Sequence, residues 1–159
     1  MIIRILDIIR IVFTCAAFFA GYTIGFANEY NPTAQLHFMI PAVIITIAGL
    51  SGVEGLLFSD MAAEIKGFEK GTNYQKQSAI GLLSYAFTAI LVYISNWGIK
   101  AELAILFTFL FFLFFSGINH MVNAIRYRNY KWQNINRPII TLLLLAGFFY
   151  PVLMVLKEL

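Results

Sequence analysis

A series of long apolar stretches separated by short polar links constrains this chain more than any other feature. A helix needs about 20 mostly apolar residues to cross the hydrocarbon core of a bilayer. Runs such as LFTFLFFLFF lack two-residue alternation, and a lone strand in lipid leaves its backbone unpaired. The sequence therefore predicts an all-α integral membrane bundle with five transmembrane helices in one domain, residues 1–159. The predicted spans cover about residues 8–27, 38–58, 79–97, 103–125 and 139–156.

The composition supports the membrane interpretation. Hydrophobic residues make up 60% of the chain and charged residues 12%, with a mean hydropathy of +0.80. A soluble domain is usually about 45–50% apolar and about 25% charged. A fold of this size could not hide the surplus apolar surface from water. No basic face of a soluble module is present, so nucleic acid is not an expected partner.

The Lys and Arg residues predict the orientation of the bundle. Nine of the eleven fall on the amino-terminal flank or in the links after spans two and four, and Lys100 and Lys157 fall on the other side. Because basic residues mark the cytoplasmic side, the amino terminus is expected inside and the carboxyl terminus outside. Arg4 and Arg10 before IVFTCAAFFA also resemble a cleaved secretory signal, which is the alternative for span one.

Glu54 lies inside the second apolar stretch, six residues before Asp60. An ionised carboxylate at membrane depth is costly, so Glu54 is expected to face the bundle and find partners. Small residues surround it in GLSGVEG, and Gly21 and Gly25 have the same four-residue spacing in span one. Small residues allow close helix contacts, so these glycines predict helix–helix interfaces. Beyond Phe58 the helix is expected to continue as a short amphipathic extension to about Gly71.

A second polar group lies near the cytoplasmic end of span four. Asn119, His120 and Asn123 are spaced so that they can share one arc of a helix, at a depth that matches Glu54. A hydrogen-bonded pair of Glu54 with His120 or Asn119 would satisfy both helices. The sequence leaves two interpretations open: an interhelical polar clasp, or a cytoplasm-facing pocket whose candidate ligand-binding residues are Glu54, Asp60, Asn119, His120 and Asn123.

Basic and aromatic residues alternate in RYRNYKW directly after span four. Tyr and Trp rings favour the headgroup layer, and basic side chains favour anionic lipid. Arg126, Arg128 and Lys131 are therefore candidate contacts for anionic lipid headgroups.

No sequence motif predicts a cofactor or a metal site, because HExxH, CxxC and a Gly-rich phosphate loop are missing. The leading hypothesis is a protein that binds a small molecule or lipid headgroup, or that assembles with copies of itself or a membrane partner. One alternative is a membrane enzyme acting on a lipid, with Glu54 and His120 as acid and base. Another alternative is a structural subunit of a larger complex.

Two segments resemble a family of small uncharacterised prokaryotic multipass membrane proteins. They are AAEIKGFEKGTNYQKQSAIGLLS, which leads into span three, and SGINH late in span four, followed by a polar link and a last span. The resemblance covers roughly residues 50–150. It implies a multipass fold in a prokaryotic inner or plasma membrane, and no known activity.

Overall fold

The protein is a bundle of helices. Its structure is a computed structural model, which describes residues 2–67, 70 and 72–159. Strands are not found among these residues. The second helical stretch is α-helical at both ends and contains a π-helical turn at Ile45–Gly49. The α-helices are α1 (Ile2–Gly25), α2 (Pro32–Ile44), α3 (Leu50–Leu57), α4 (Ser59–Lys66), α5 (Asn73–Ile94), α6 (Ile99–Arg126) and α7 (Trp132–Glu158).

Four helical stretches of the described chain are long and apolar enough to cross a membrane. They are Pro32–Leu57, Asn73–Ile94, Ile99–Arg126 and Asn134–Glu158. The integral membrane helical bundle is thus confirmed, but the predicted count of five spans is wrong. Helix α1 forms and is not among the four. Arg4, Asp7 and Arg10 interrupt its amino-terminal part, and Arg10 turns toward a buried carboxylate.

Local sequence signals explain where several helices begin and end. Asn31 caps α2 by accepting a hydrogen bond from the amide of Ala34 at 2.9 Å, and Pro32 takes the first helical position. Helix α4 ends at Lys66, where Gly67 adopts a left-handed conformation with φ of 73°. The predicted extension therefore ends earlier than expected, and Gly71 lies outside the described residues.

Helix α2 lies at the centre of the bundle and contacts α1, α5, α6 and α7. Leu36, Met39 and Val43 of α2 are completely buried. They pack into one core with side chains such as Phe109 of α6 and Phe148 of α7. Outward-facing positions of the long helices carry exposed apolar side chains, as expected where lipid replaces water.

Glycines allow the closest helix approaches, which confirms the predicted small-residue interfaces. A Cβ on Gly21 or Gly25 of α1 would collide with side chains of α2. A Cβ on Gly52 of α3 would lie 2.6 Å from Cγ of Leu83 and 2.9 Å from the carbonyl oxygen of Ala79 on α5. These contacts hold α1 and α5 against the helical stretch that carries Glu54.

Candidate functional site

Glu54 is the centre of a buried group of charges at one end of the bundle. It lies in α3, and only 2% of its surface is exposed. One carboxylate oxygen accepts a hydrogen bond from Arg10 of α1, and the other accepts one from Lys66 of α4. Both oxygens of this acid are therefore paired with cations, which offsets the cost of burying its charge.

A break at Phe58 brings Lys66 to Glu54. Phe58 leaves the helical conformation, with φ of −128° and ψ of 26°, so α4 starts in a new direction. The two side chains are 12 residues apart and yet form a hydrogen bond. In a continuous helix the same separation would place their backbones about 18 Å apart. The change of direction therefore converts a predicted surface lysine into a buried partner of Glu54.

The link between α6 and α7 closes over the end of α4. Side-chain amides of Asn129 and Asn134 donate to the carbonyl oxygen of Lys66 at 3.1 and 3.3 Å. Lys131 donates to the carbonyl oxygen of Glu64 at 3.1 Å. These bonds satisfy carbonyls that the end of a helix leaves without intrahelical partners. They fix the backbone that positions the Lys66 ammonium.

Asp7 and Lys66 show how burial acts on this end of the bundle. Asp7 of α1 forms a salt bridge with Arg10 at 2.8 Å. Burial raises the pKa of Asp7 above its usual 3.8, although the charge of Arg10 opposes this shift. Burial also lowers the pKa of Lys66 below its usual 10.5, and the positive charge of Arg137 lowers it further. Burial thus favours the neutral form of both groups.

Arg137 of α7 joins His120 to this group. Its Nη1 lies 2.7 Å from Nε2 of His120. A guanidinium can only donate, so Nε2 must accept and the proton of a neutral imidazole sits on Nδ1. Arg137 also interacts electrostatically with Glu54, Arg10 and Asp7. Among the described residues, however, no carboxylate lies within salt-bridge distance of Arg137.

We call this set the charge cluster: Asp7, Arg10, Glu54, Lys66, His120 and Arg137. Its three cations face two carboxylates, and its imidazole is neutral in the hydrogen-bonding arrangement observed. The formal charge of the ionised cluster is therefore +1. A net charge away from water is unfavourable, so the cluster is suited to accept an anionic group.

The structure places the five candidate ligand-binding residues in different surroundings. Glu54 and His120 belong to the charge cluster, but their hydrogen bonds go to Arg10, Lys66 and Arg137. Asn119 and Asn123 lie on the outer side of α6, where the Asn123 amide donates to Asn119 at 3.5 Å. Asp60 is exposed on α4. The expected direct hydrogen bond between Glu54 and His120 is thus not observed. Both side chains bond to charged residues that lie between them.

The candidate lipid-contact residues lie at the same end of the bundle. Arg126 and Arg128 are exposed at the end of α6, and the guanidinium of Arg126 lies 5.6 Å from the ring centre of Tyr127. Lys131 is exposed and bonded to the end of α4. These residues thus add positive charge near the charge cluster.

Arg10, Lys66 and Arg137 are the charged residues that sequence reasoning did not assign to a site. It used all three as markers of the cytoplasmic side, and Arg10 also as part of a possible secretory signal. One signal was available for Arg10, because it lies at the start of an apolar run. A metal is a poor fit, since the described residues contain no group of three His, Cys, Asp or Glu that could hold an ion.

Comparison with known proteins gives a family and no activity. Neither a curated protein nor a solved structure matches the chain. A family model does match, and it covers residues 6–158, which include every member of the charge cluster. The chain belongs to DUF6790, a family of unknown function.

Proposed function

We propose that this chain is a multipass membrane protein that binds an anionic group at the charge cluster, such as the phosphate of a lipid headgroup or of a small molecule. The observation that carries the proposal is Arg137. Its guanidinium contacts a neutral imidazole and has no carboxylate in salt-bridge range among the described residues. A planar guanidinium is well suited to bind a phosphate through two parallel hydrogen bonds.

The surroundings of Arg137 support an anion as the ligand. Lys66 and Arg10 add positive charge, while Glu54 and Asp7 balance only two of the three cations. The buried Nε of Arg10 has no hydrogen-bond partner in the described structure, so the cluster still has a donor to offer. Exposed Arg126 and Arg128 would attract an anionic headgroup from the membrane surface.

The proposed orientation places this end in the cytoplasm. Lys66, Lys131 and Arg137 belong to the side on which nine of the eleven basic residues fall. Helix α1 starts at this end, where Arg10 reaches Glu54, and its last residue, Gly25, packs against Gln35 at the other end. Helix α1 thus runs beside the four counted spans, and α7 also ends at that other end. In a prokaryotic inner or plasma membrane, the amino terminus would be cytoplasmic and the carboxyl terminus outside.

Binding fits the geometry better than acid–base catalysis by Glu54 and His120. A general base must take up a proton, and cations bonded to it oppose this because they favour its unprotonated form. Both oxygens of Glu54 accept from cations, and Nε2 of His120 accepts from Arg137. The proposed role of these residues is therefore to hold the cationic groups in position around a bound anion.

Native mass spectrometry of the gently solubilised protein tests the proposal. We expect the wild type to retain an anionic phospholipid, and Arg137→Gln to lose it. Lys100→Gln is the matched control, because Lys100 is an exposed cation at the other end of the bundle. Equal retention by all three proteins would refute the proposal, and the same spectra report whether copies of the chain assemble.

A second measurement separates the two sources of phosphate. Inorganic phosphate is added to delipidated protein, and the midpoint of thermal unfolding is measured against sodium chloride of equal ionic strength. Stabilisation of the wild type but not of Arg137→Gln would indicate a free phosphorylated molecule. Retention of phospholipid without an effect of inorganic phosphate would indicate a lipid headgroup.

A further inference from the structure

A polar pocket lies at the end of the bundle opposite the charge cluster. It has a volume of about 370 Å³ and lies between the start of α2, the α5–α6 turn and the start of α6. Asn31, Thr33, His37, Asn96 and Glu102 supply its polar side chains. Ligand pockets usually have volumes of about 300–1,000 Å³, so this space suits a small molecule or part of a larger one.

Glu102 and His37 form a fixed pair in this pocket. Oε1 of Glu102 lies 2.6 Å from Nδ1 of His37. The imidazole of His37 also stacks on Tyr93 of α5, with ring centres 4.8 Å apart. Three helices therefore hold the Glu102 carboxylate in place, which is the preorganisation that a binding site needs.

The second oxygen of Glu102 is the unusual feature. Glu102 is 2% exposed, and its buried Oε2 has no hydrogen-bond partner among the described residues. A buried acceptor left unsatisfied is destabilising, and the penalty is larger for a charged group. A hydrogen-bond donor entering the pocket would remove that penalty.

We propose that this pocket binds a primary ammonium group, with Oε2 of Glu102 as its anionic acceptor. An ammonium group presents three donors and no acceptor. The hydroxyl of Thr33 and the side-chain carbonyl oxygen of Asn96 are neutral acceptors in the same pocket. One carboxylate with neutral acceptors suits an ammonium group better than a metal, for which the described residues contain no ligand cluster.

The pocket is accessible from outside the bundle. Asn31, Thr33 and Asn96 are exposed, and the His37 side chain is 41% exposed. Two sources of a primary ammonium group can reach such a site: a free amine, or the headgroup of phosphatidylethanolamine. The inference is independent of the proposed anion site, because the two sites lie at opposite ends and share no residue.

Methylammonium chloride is the probe for the free amine. In the full chain in detergent, we expect it to raise the midpoint of thermal unfolding saturably, relative to sodium chloride of equal ionic strength. In Glu102→Gln the apparent affinity should fall by about tenfold or more, because the ligand loses a charge-assisted hydrogen bond. Glu158→Gln is the matched control, an exposed acid near the end of α7, and should respond as the wild type does.

Lipid nanodiscs test the second source. Phosphatidylcholine carries a quaternary ammonium group without N–H donors, so it is the control for phosphatidylethanolamine. Greater stabilisation by phosphatidylethanolamine in the wild type, absent in Glu102→Gln, would identify the headgroup as the ligand. If neither methylammonium nor phosphatidylethanolamine stabilises the wild type over its control, the pocket holds only water and the proposal is wrong.

A second variant keeps the proposal testable if Glu102→Gln does not fold. Asn96 has a φ of 51°, a conformation that glycine adopts readily. Asn96→Gly removes one neutral acceptor and leaves the turn geometry accessible. It should weaken methylammonium binding, whereas unchanged binding in this variant would exclude Asn96 and argue against the site.

Discussion

Arg137 donates a hydrogen bond to Nε2 of His120 across 2.7 Å, and this bond connects α7 to α6 at the charged end of the bundle. The donor is a guanidinium, so the imidazole must accept and stay neutral. A proton added to Nε2 would replace an acceptor by a donor that faces another donor. Protonation of His120 and its contact with Arg137 are therefore mutually exclusive, so the observed contact requires the neutral imidazole.

Replacement of His120 by alanine tests this pair. His120→Ala removes the acceptor of Arg137, and a buried donor without a partner costs about 1–3 kcal/mol, which is an upper bound for the partly buried Arg137. We expect the free energy of unfolding in detergent to fall by up to that amount. Asn119→Ala is the control, since Asn119 is exposed on the same helix. A smaller loss in His120→Ala than in Asn119→Ala would show that the bond does not stabilise the fold.

Glu54→Gln tests whether the carboxylate holds the cations together. The variant leaves Arg10 and Lys66 without their shared anion, and the new amide group directs N–H donors at one of them. Breaking a buried ion pair costs about 3–5 kcal/mol, so the free energy of unfolding should drop sharply.

Glu64→Gln is the control for that variant. Glu64 pairs with Lys70 at 2.8 Å, but the pair is exposed, and exposed pairs contribute little to stability. Thermal unfolding of both variants beside the wild type measures the difference. Comparable midpoints for Glu54→Gln and Glu64→Gln would contradict the central role of Glu54.

Asp7 predicts a pH dependence of stability. Its pKa is raised above 3.8 by burial, so the folded chain holds this proton to a higher pH than the unfolded chain does. The favourable contribution of the protonated acid is complete below the unfolded pKa and is lost as the pH rises through the folded pKa. In Asp7→Asn this loss is absent. The free energy of unfolding of Asp7→Asn should therefore increase relative to that of the wild type as the pH rises from about 4, the usual pKa of an aspartate.

Denaturant unfolding in detergent at several pH values measures this gain. Asp60→Asn serves as the control because Asp60 is exposed on α4. Its stability should follow that of the wild type across the same range. A wild type that becomes more stable relative to Asp7→Asn as the pH rises would mean that pairing with Arg10 outweighs burial.

The long apolar stretches made most of the fold predictable, because length and hydropathy alone distinguish membrane helices. The start of α2 was placed too late, at about residue 38, whereas Asn31 caps the helix and Pro32 takes its first position. Helix α1 was counted as a span because its apolar run is long, and Arg4 and Arg10 at its start were read as a cytoplasmic flank or as part of a secretory signal. Whether such charges face lipid, water or a carboxylate depends on the neighbouring helix, which the sequence of α1 does not contain.

The charge cluster could be predicted only in part. Glu54 and His120 are polar residues within apolar runs, so their positions attract attention. Lys66 and Arg137 lie in polar links, where a charged residue is expected to be solvated. The break at Phe58 turns Lys66 inward, and no proline or glycine in LLFSDM indicates that break. Glu102 was missed for a related reason, because its partner His37 lies on another helix.

The contact between α3 and α5 sets the position of Glu54 and can be tested through Gly52. A Cβ there would lie 2.9 Å from a backbone oxygen of α5, which cannot move away easily. Gly52→Ala should therefore lower the free energy of unfolding by about 1–3 kcal/mol. In Gly81→Ala the new Cβ meets no atom within 4 Å, so the better helix propensity of alanine should stabilise by up to about 1 kcal/mol. Opposite signs in denaturant unfolding would establish close packing at Gly52, and equal effects would contradict it.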